Sequence, residues 1–574
     1  MTKTIKRIVS VIVTVVMIMA MGTVAFAADP NPVVTITKND TNDKAAHTYE
    51  FYQVFSAKVD TDEKFYDIAW GSGVNDTAAN FYTDLQAVEG FSTCTDATSV
   101  LAVLEGKDNN SAIVDRFAKF ISTHTTSTKV SAALAADATS TTATLTSGLG
   151  YYFVKDTITS SEDAAISKFM LAVVNKATTI TITSKEAVPT LDKNIIEGST
   201  PVKQNQASVG DVITFELSSK VPDLTNKGYN GYWFVMNDTL SDGLTFIGIS
   251  SVTVGATTLT AGTGYTLTEP TDSSNSFKVV FNDFLNYGLS TTYIGTDIKV
   301  TYTAMLNEKA DITEAGNLNT GNLVYSNDPS KDYSGKNEPT TPGDETITGH
   351  SPDAQTVTYT TGAKIIKVDK NNPTKTLVGA EFHIEGTSSK KVIVTKTEYE
   401  ASASGTFYKL KDGTYTDVEP TAATEGQYDN PAIKYAPVTR DAYIESGIDE
   451  VDKTITVDDT GCITLTGLGA GHYTFVERKA PTGYTIDGVT HTLDITCVFD
   501  SNNKPVWTYT VDNGTATTIA TGSLVEITVK NSKTSSLPET GGIGTTGFYI
   551  AGATLIAAGA ALIVLKKKVG SEKA

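Results

Sequence analysis

The chain has 574 residues, a formal net charge of −20 and only three cysteines. Three net positive charges lie at each end, so the stretch from 28 to 540 carries about −26 by the same count. That acidity argues against nucleic acid as a partner, the cysteine count argues against a disulfide scaffold, and about 510 residues exceed one core and suit three domains.

Lys3, Lys6 and Arg7 precede an apolar run from Ile8 to Met21, and Ala25-Phe26-Ala27 offers the small-x-small pattern of a signal cleavage site. Residues 1–27 therefore read as a signal peptide. Threonine-rich, β-branched runs alternate with Gly, Asp and Asn turns beyond it, which favours β-sandwiches over helix bundles. A first domain over 28–184 opens on the alternating run Val33 to Lys38. Its middle differs. Ala78–Val88 and Ser111–Ser122 have helical spacing, with Ile113, Phe117, Phe120 and Ile121 on one face. Strands resume at Gly150–Val154, Leu171–Val174 and Thr179–Thr183.

A second domain over 185–362 begins Val188-Pro189-Thr190-Leu191-Asp192-Lys193. Strand-like runs follow at Asp211–Leu217, Tyr232–Met236, Phe277–Phe281, Asp297–Ala304 and Asn322–Asn327, then a polar loop from Asp328 to Asp353 and a closing strand at Thr356–Tyr359. The third domain, 363–533, runs from Ala363–Asp369 to Val525–Asn531, with a polar, Tyr-rich excursion over 387–450. Cys462 and Cys497 fall here and either pair or remain buried thiols, while Cys94 stands alone. Six scattered histidines offer no ligand-spaced cluster, so neither a metal nor a cofactor is expected.

The last segment, 534–574, contains Leu537-Pro538-Glu539-Thr540-Gly541, eighteen apolar residues from Phe548 to Leu565, and Lys566 to Lys568. At 1.5 Å per residue the apolar run just crosses a bilayer's hydrocarbon core, and the lysines resist following it. This arrangement resembles the cell-wall sorting signal of Gram-positive bacteria. The resemblance implies that a sortase cuts between Thr540 and Gly541 and hands the Thr540 acyl group to an amine, with the membrane engaged only through the tail before sorting.

The run Tyr473 to Tyr484 resembles the E-box of Gram-positive pilins and related wall proteins, Y-x-L-x-E-T-x-A-P-x-G-Y. It matches at Tyr473, Glu477, Ala480, Pro481, Gly483 and Tyr484, with Phe475 for the leucine and Arg478 for the threonine. The resemblance implies an immunoglobulin-like sandwich of the collagen-adhesin B type, in which Lys367 on the first strand bonds covalently to Asn531 on the last, helped by Glu477. The chemistry is self-consistent. A lysine buried in an apolar core is pushed toward its nucleophilic neutral form, and a neutral carboxylic acid can donate a hydrogen bond to the amide oxygen that it attacks. The fold supplies the effective concentration, so no cofactor is needed.

The second domain resembles the pilin domain that forms a similar bond with an aspartate as helper. Val188–Lys193, Asn237–Leu244 and Tyr325–Pro329 carry that likeness. It implies the trio Lys193, Asn327 and Asp238, with Asn322 and Lys203 as alternative partners and Asp242 as an alternative acid. In the first domain Tyr151–Lys155 aligns with Tyr473–Glu477, so Lys155 stands where the acid should be. Lys38 and Asn175 are expected to stay unbonded there. Lys185 sits where backbone pilins carry the lysine that joins subunits, although the preceding Tyr-Pro is missing; Lys176 and Lys193 are nearby alternatives.

The resulting expectation is an all-β chain of three tandem immunoglobulin-like sandwiches, the first with helical insertions, elongated, with a signal peptide and a transmembrane sorting tail. Its implied role is a major pilin polymerised by a sortase through Lys185 and Thr540 and attached to peptidoglycan. Its implied partners are sortase, identical subunits and a host or other cell-surface ligand. The alternative is a monomeric wall-anchored adhesin or pilus-tip protein, and no motif suggests an enzyme acting on an external substrate.

Overall fold

The structure is a computed structural model that describes residues 31–176, 179–331, 333, 348–386, 391–411, 415–445, 454–534 and 553–558. The signal peptide, the motif Leu537 to Gly541 and nearly all of the apolar tail lie outside the described residues. No helix among the described residues is long and apolar enough to cross a membrane.

Strand periodicity dominates the described residues outside the helices of the first domain. Asp297–Leu306 and Val212–Lys220 alternate strictly between buried and more exposed residues, as a sheet with one face on a core requires. Among the described residues, six of the seven sheets form three pairs. The first contains a three-stranded sheet, with Val33–Thr37 between Ser140–Thr144 and Ile180–Thr183, and a five-stranded sheet built on His47–Val59. Three helices, Phe81–Ala87, Ala97–Leu104 and Ala112–Ser122, pack Phe81, Leu85, Val100, Phe117 and Ile121 against that larger sheet. Ile113 is only partly buried; Val114 and Ala118 complete the inner face of the last helix.

The second pair of sheets places Asp192–Glu197, Val212–Lys220, Asp297–Leu306 and Leu244–Val254 on one side. Facing them are Ala354–Tyr359, Asn317–Ser326, Phe234–Leu240 and Ser276–Phe281. The polar loop expected to run to Asp353 holds a short strand, Thr348–His350, paired with Ser326 to Val324. In the third pair, the first strand Thr361–Asp369 and the last strand Leu524–Asn531 lie side by side and parallel, from Gly362↔Leu524 to Asp369↔Asn531. The facing sheet is built on Gly471–Lys479 and Thr490–Phe499, with Trp507 fully buried between. The Tyr-rich excursion forms a long hairpin, Lys391–Ala401 with Tyr435–Glu445, and Tyr399 stacks on Tyr415 at 4.3 Å between ring centroids.

The sandwiches are joined by specific contacts. Ala164 N–H donates to Tyr325 Oη at 3.0 Å and Ile166 N–H to Asn327 O at 2.7 Å, linking the first to the second. Gly469 N–H donates to Ser208 Oγ at 2.9 Å and Ala470 N–H to Gln206 Oε1 at 2.6 Å, linking the second to the third.

Candidate functional site: buried lysine clusters and a linking lysine

In the third sandwich, three polar residues occupy inward positions where the period-2 pattern calls for apolar ones. Lys367 follows Ala363 and Ile365 on its strand, Asn531 follows Val525, Ile527 and Val529, and Glu477 follows Tyr473 and Phe475. All three are buried. Lys367 Nζ donates to Asn531 Oδ1 and lies 3.3 Å from Glu477 Oε1; Asn531 Nδ2 donates to the same Glu477 oxygen at 2.7 Å. Asp487 N–H fixes the other Glu477 oxygen at 2.8 Å. The expected contact, from the acid to the amide oxygen, is therefore not the one present. The oxygen faces the lysine, and a half-turn of the Asn531 amide exchanges the two. Burial pushes the Lys367 amine below its ordinary range, with Glu477 acting against that.

The second sandwich has a comparable cluster with a different membership. Lys193 Nζ donates to Asp238 Oδ2 and, at 2.6 Å, to Tyr302 Oη. Tyr302 in turn donates to Asp238 at 2.8 Å and accepts from Asn319 Nδ2 at 2.8 Å. Lys193, Asp238, Tyr302 and Asn319 are at most 1% exposed. Burial lowers the Lys193 amine and raises the Asp238 carboxyl, so both move toward neutral forms, although each one's charge opposes the other's shift. Asp238 Oδ1 and Asn319 Oδ1 have no partner among the described residues.

Asn327 is not brought to Lys193. It lies beyond the end of Asn317–Ser326, eight residues from Asn319 and so roughly 26 Å along an extended chain, with its carbonyl held by Ile166 N–H. The alternatives also lie elsewhere. Asn322 accepts from Asn237 Nδ2 at 3.0 Å, Lys203 is tied to Asp192 and to Lys193 O, and Asp242 O accepts from Asn307. Asn319 and Tyr302 are thus the members that sequence reasoning missed.

The first sandwich holds its buried charges differently. Lys38 Nζ donates to Asp43 O at 3.0 Å and Ala45 O at 3.2 Å, beside Asp43 Oδ1 at 3.3 Å. Asn175 is half-buried and donates to Glu63 O at 3.1 Å. Next to Lys155, the buried Asp156 accepts from His47, whose other nitrogen meets Asp43 at 3.1 Å. Burial opposes charge on His47, but the two carboxylates outweigh it and lift the imidazole to about 9.

Lys185 lies at the junction of the first two sandwiches, held by neighbours on both sides. Ser184 N–H bonds Thr37 O at 3.0 Å, and the buried Glu186 accepts from Asn39 N–H at 2.7 Å. Lys185 N–H donates to Ser167 Oγ at 2.7 Å and its Nζ to Asn110 Oδ1. The side chain lines a cavity of about 500 Å³ with Phe65, Ile68, Leu104, Tyr151 and Leu171. Burial, and then the Lys168 cation, lower its amine to about 8. Lys176, by contrast, faces Glu63 at 3.9 Å and is largely exposed.

At the far end, Gly483 adopts φ +82, a left-handed conformation that suits glycine, and its carbonyl accepts from Thr534 N–H at 2.9 Å. Tyr484 Oη donates to Asp369 at 2.9 Å. The end of the E-box therefore holds the chain six residues before Thr540. Cys94, Cys462 and Cys497 are all free, the last two on strands of different sheets.

Residues 209–329 match the family described as Gram-positive pilin backbone subunit 2, Cna-B-like domain, and 529–569 match the LPXTG cell wall anchor motif. A backbone-pilin domain and a wall-anchor motif thus occur in one chain, as in a sortase-assembled Gram-positive major pilin. Residues 438–515 also match the SpaA prealbumin-like fold domain. The trypsin-resistant surface T6 protein of Streptococcus pyogenes is 23% identical over 406 residues, 68% of this pilin and 70% of the relative. The solved T6 backbone pilin of that species, described as a modular three-domain structure, aligns with a TM-score of 0.52 and 15% identity over 89% of this chain and all of that one. The major pilin SpaD of Corynebacterium diphtheriae aligns at 0.44 and 16% identity over 88% of this chain and 98% of its own. The pilin is thus a structural subunit of a surface pilus attached to the cell wall, a sortase substrate rather than an enzyme.

Proposed function

We propose that the pilin is cross-linked internally by two self-formed isopeptide bonds and joined to its neighbours through Lys185 and Thr540. In the third sandwich Lys367 Nζ attacks Asn531 Cγ. The new C–N bond forms, the bond to Nδ2 breaks, and the proton shed by the amine leaves with that nitrogen as ammonia, relayed by Glu477. In the second sandwich Lys193 attacks Asn319 in the same way, with Asp238 as the acid and Tyr302 aligning acid and amide. The observation that carries this reading is the convergence of amine, amide and acid at inward positions of three strands in each core. Buried ionic groups are costly unless paired, and a reaction that removes the lysine charge removes that cost.

Between subunits, the Thr540–Gly541 peptide bond breaks and a Thr540–Lys185 amide forms. The proton lost from Nζ is recovered on the freed Gly541 amine. The half-buried, groove-facing position of Lys185 supports its choice over the exposed Lys176 and over Lys193, which is enclosed in the second core.

Intact mass of the 28–540 fragment tests the internal bonds, with a deficit of two ammonia molecules expected. Peptide mapping must then show Lys367–Asn531 and Lys193–Asn319 pairs; a Lys193–Asn327 pair overturns the second assignment. Lys185→Ala tests the linkage in the host, where the high-mass ladder of wall extracts on denaturing gels should disappear. A parent with no ladder would favour a monomeric wall-anchored adhesin.

A further inference from the structure

An amine that joins subunits must be neutral and must present its lone pair to the incoming carbonyl carbon. Burial beside the groove addresses the first need; the second depends on what holds the N–H bonds. Lys185 Nζ donates to Asn110 Oδ1, and Asn110 sits on a braced loop. Asn109 Nδ2 ties that loop to Leu171 O at 2.9 Å, on the strand that walls the groove. Asn110 N–H bonds Asp108 Oδ1 at 2.7 Å, and Ser111 Oγ bonds Asp108 O at 2.6 Å. Four hydrogen bonds thus place an uncharged acceptor on the amine, at a turn where carboxylates are at hand.

We propose that Asn110 is a positioning residue for the linking reaction: its amide oxygen holds one N–H of Lys185 and leaves the nitrogen lone pair facing the groove. The proposal rests on the choice of Lys185 made above. As the Thr540–Nζ bond forms, the nitrogen gains positive character before it sheds a proton, and the bond that breaks is the one by which the sortase carries the Thr540 acyl group, Gly541 having left at the cut. The Asn110 carbonyl dipole is already aimed at that developing charge. An aspartate in its place would hold the amine as an ammonium ion, with no lone pair to offer.

The other charged groups set the background. Lys168, ion-paired to Asp115 at 2.6 Å, and Lys227 disfavour the charged amine, whereas Asp115 and Asp108 favour it. Glu105 and Lys107 also line the cavity. A neutral acceptor adds no further carboxylate to this balance and leaves the amine at about 8, so that roughly a tenth of it is free at pH 7.

The test uses the full pilin and two variants, Asn110→Asp and Asn110→Ala. Competitive acetylation across pH, read on the Lys185 peptide by mass spectrometry, gives the amine's titration midpoint. Asn110→Asp should raise it by about one pH unit or more, lowering acetylation and sortase-driven ladder formation at pH 7 roughly tenfold, with recovery at higher pH. Asn110→Ala should not raise the midpoint, yet should slow ladder formation about fivefold or more even where the amine is fully neutral, because orientation is lost. A midpoint unmoved in Asn110→Asp, or an unchanged high-pH rate in Asn110→Ala, overturns the proposal. A ladder that survives Lys185→Ala overturns the choice of linking lysine and the proposal together. A ladder lost in Lys185→Ala but unaltered in both Asn110 variants overturns the proposal alone.

Discussion

The first and third sandwiches place a buried lysine near the end of their opening strand and surround it with different chemistry. Around Lys367 stand one amide and one acid. Around Lys38 stand carbonyl oxygens and Asp43, which together with Asp156 encloses His47. On the chemistry proposed above, burial alone does not make a lysine a cross-linker. An amide carbon must lie beside it, with an acid to serve the leaving nitrogen. Where carboxylates and cations pair instead, the same degree of burial yields a reversible ionic core. The second sandwich sides with the third in chemistry but not in layout. Lys193 and Asn319 belong to facing sheets, whereas Lys367 and Asn531 are on neighbouring strands of one sheet.

The sharpest break of this contrast is Glu477→Ala. It should restore one ammonia to the mass and lower the unfolding temperature of the third sandwich. Lys367 and Asn531 are 164 residues apart, and a loop of that size is worth about 5 kcal/mol on chain-entropy grounds established for disulfides. The melting temperature should fall by roughly 10–20 °C, as calorimetry would register. Asp238→Ala should do likewise in the second sandwich, and unchanged masses in both variants would defeat the isopeptide reading.

A smaller effect separates the ionic core. Because the folded-state value of His47, about 9, lies above its ordinary 6.5, its protonation stabilises the first sandwich fully below 6.5. That contribution, at most about 3 kcal/mol, is lost as pH rises through 9. Calorimetry should find the first transition falling between pH 6.5 and 8, below the range where the depressed Lys185 amine acts in the opposite sense, and His47→Gln should remove that fall. The smallest expected effect is that of Lys155→Glu. Supplying an acid there should leave the mass unchanged, since Asn175 is tied to Glu63 rather than to Lys38.

Much of this was legible in residues alone. Lys367, Glu477 and Asn531 break the alternation of their strands at inward positions, so the pattern that defines the strand also exposes the exception. The choice between Asn319 and Asn327 was not legible in that way. Both fall at the same parity on one extended segment, and only the register that sets Leu240 opposite Asn319 decides between them. The Ala97–Leu104 helix escaped notice because Thr98, Ser99, Val100 and Val103 are poor helix formers. Its capping box between Asp96 and Ser99 was the available signal. The Asn110 contact joins a loop to a residue 75 positions away, which no local pattern encodes.

The place of Asn319 has a mechanical consequence. A covalent tie at that residue leaves the chain from Asn319 to Tyr359, about 40 residues, outside the closed ring while still in line with the next sandwich. Ala354–Tyr359 is held there by hydrogen bonds to Asn317–Gly321 and Gln204–Gln206. In the third sandwich, by contrast, the proposed tie would end on Asn531, only nine residues before Thr540. A pilus built of such subunits would behave as inextensible links separated by short spring-loaded tethers, each releasing up to roughly 130 Å before the covalent frame takes the load. Those tethers would absorb a sudden tug and rewind when it passes.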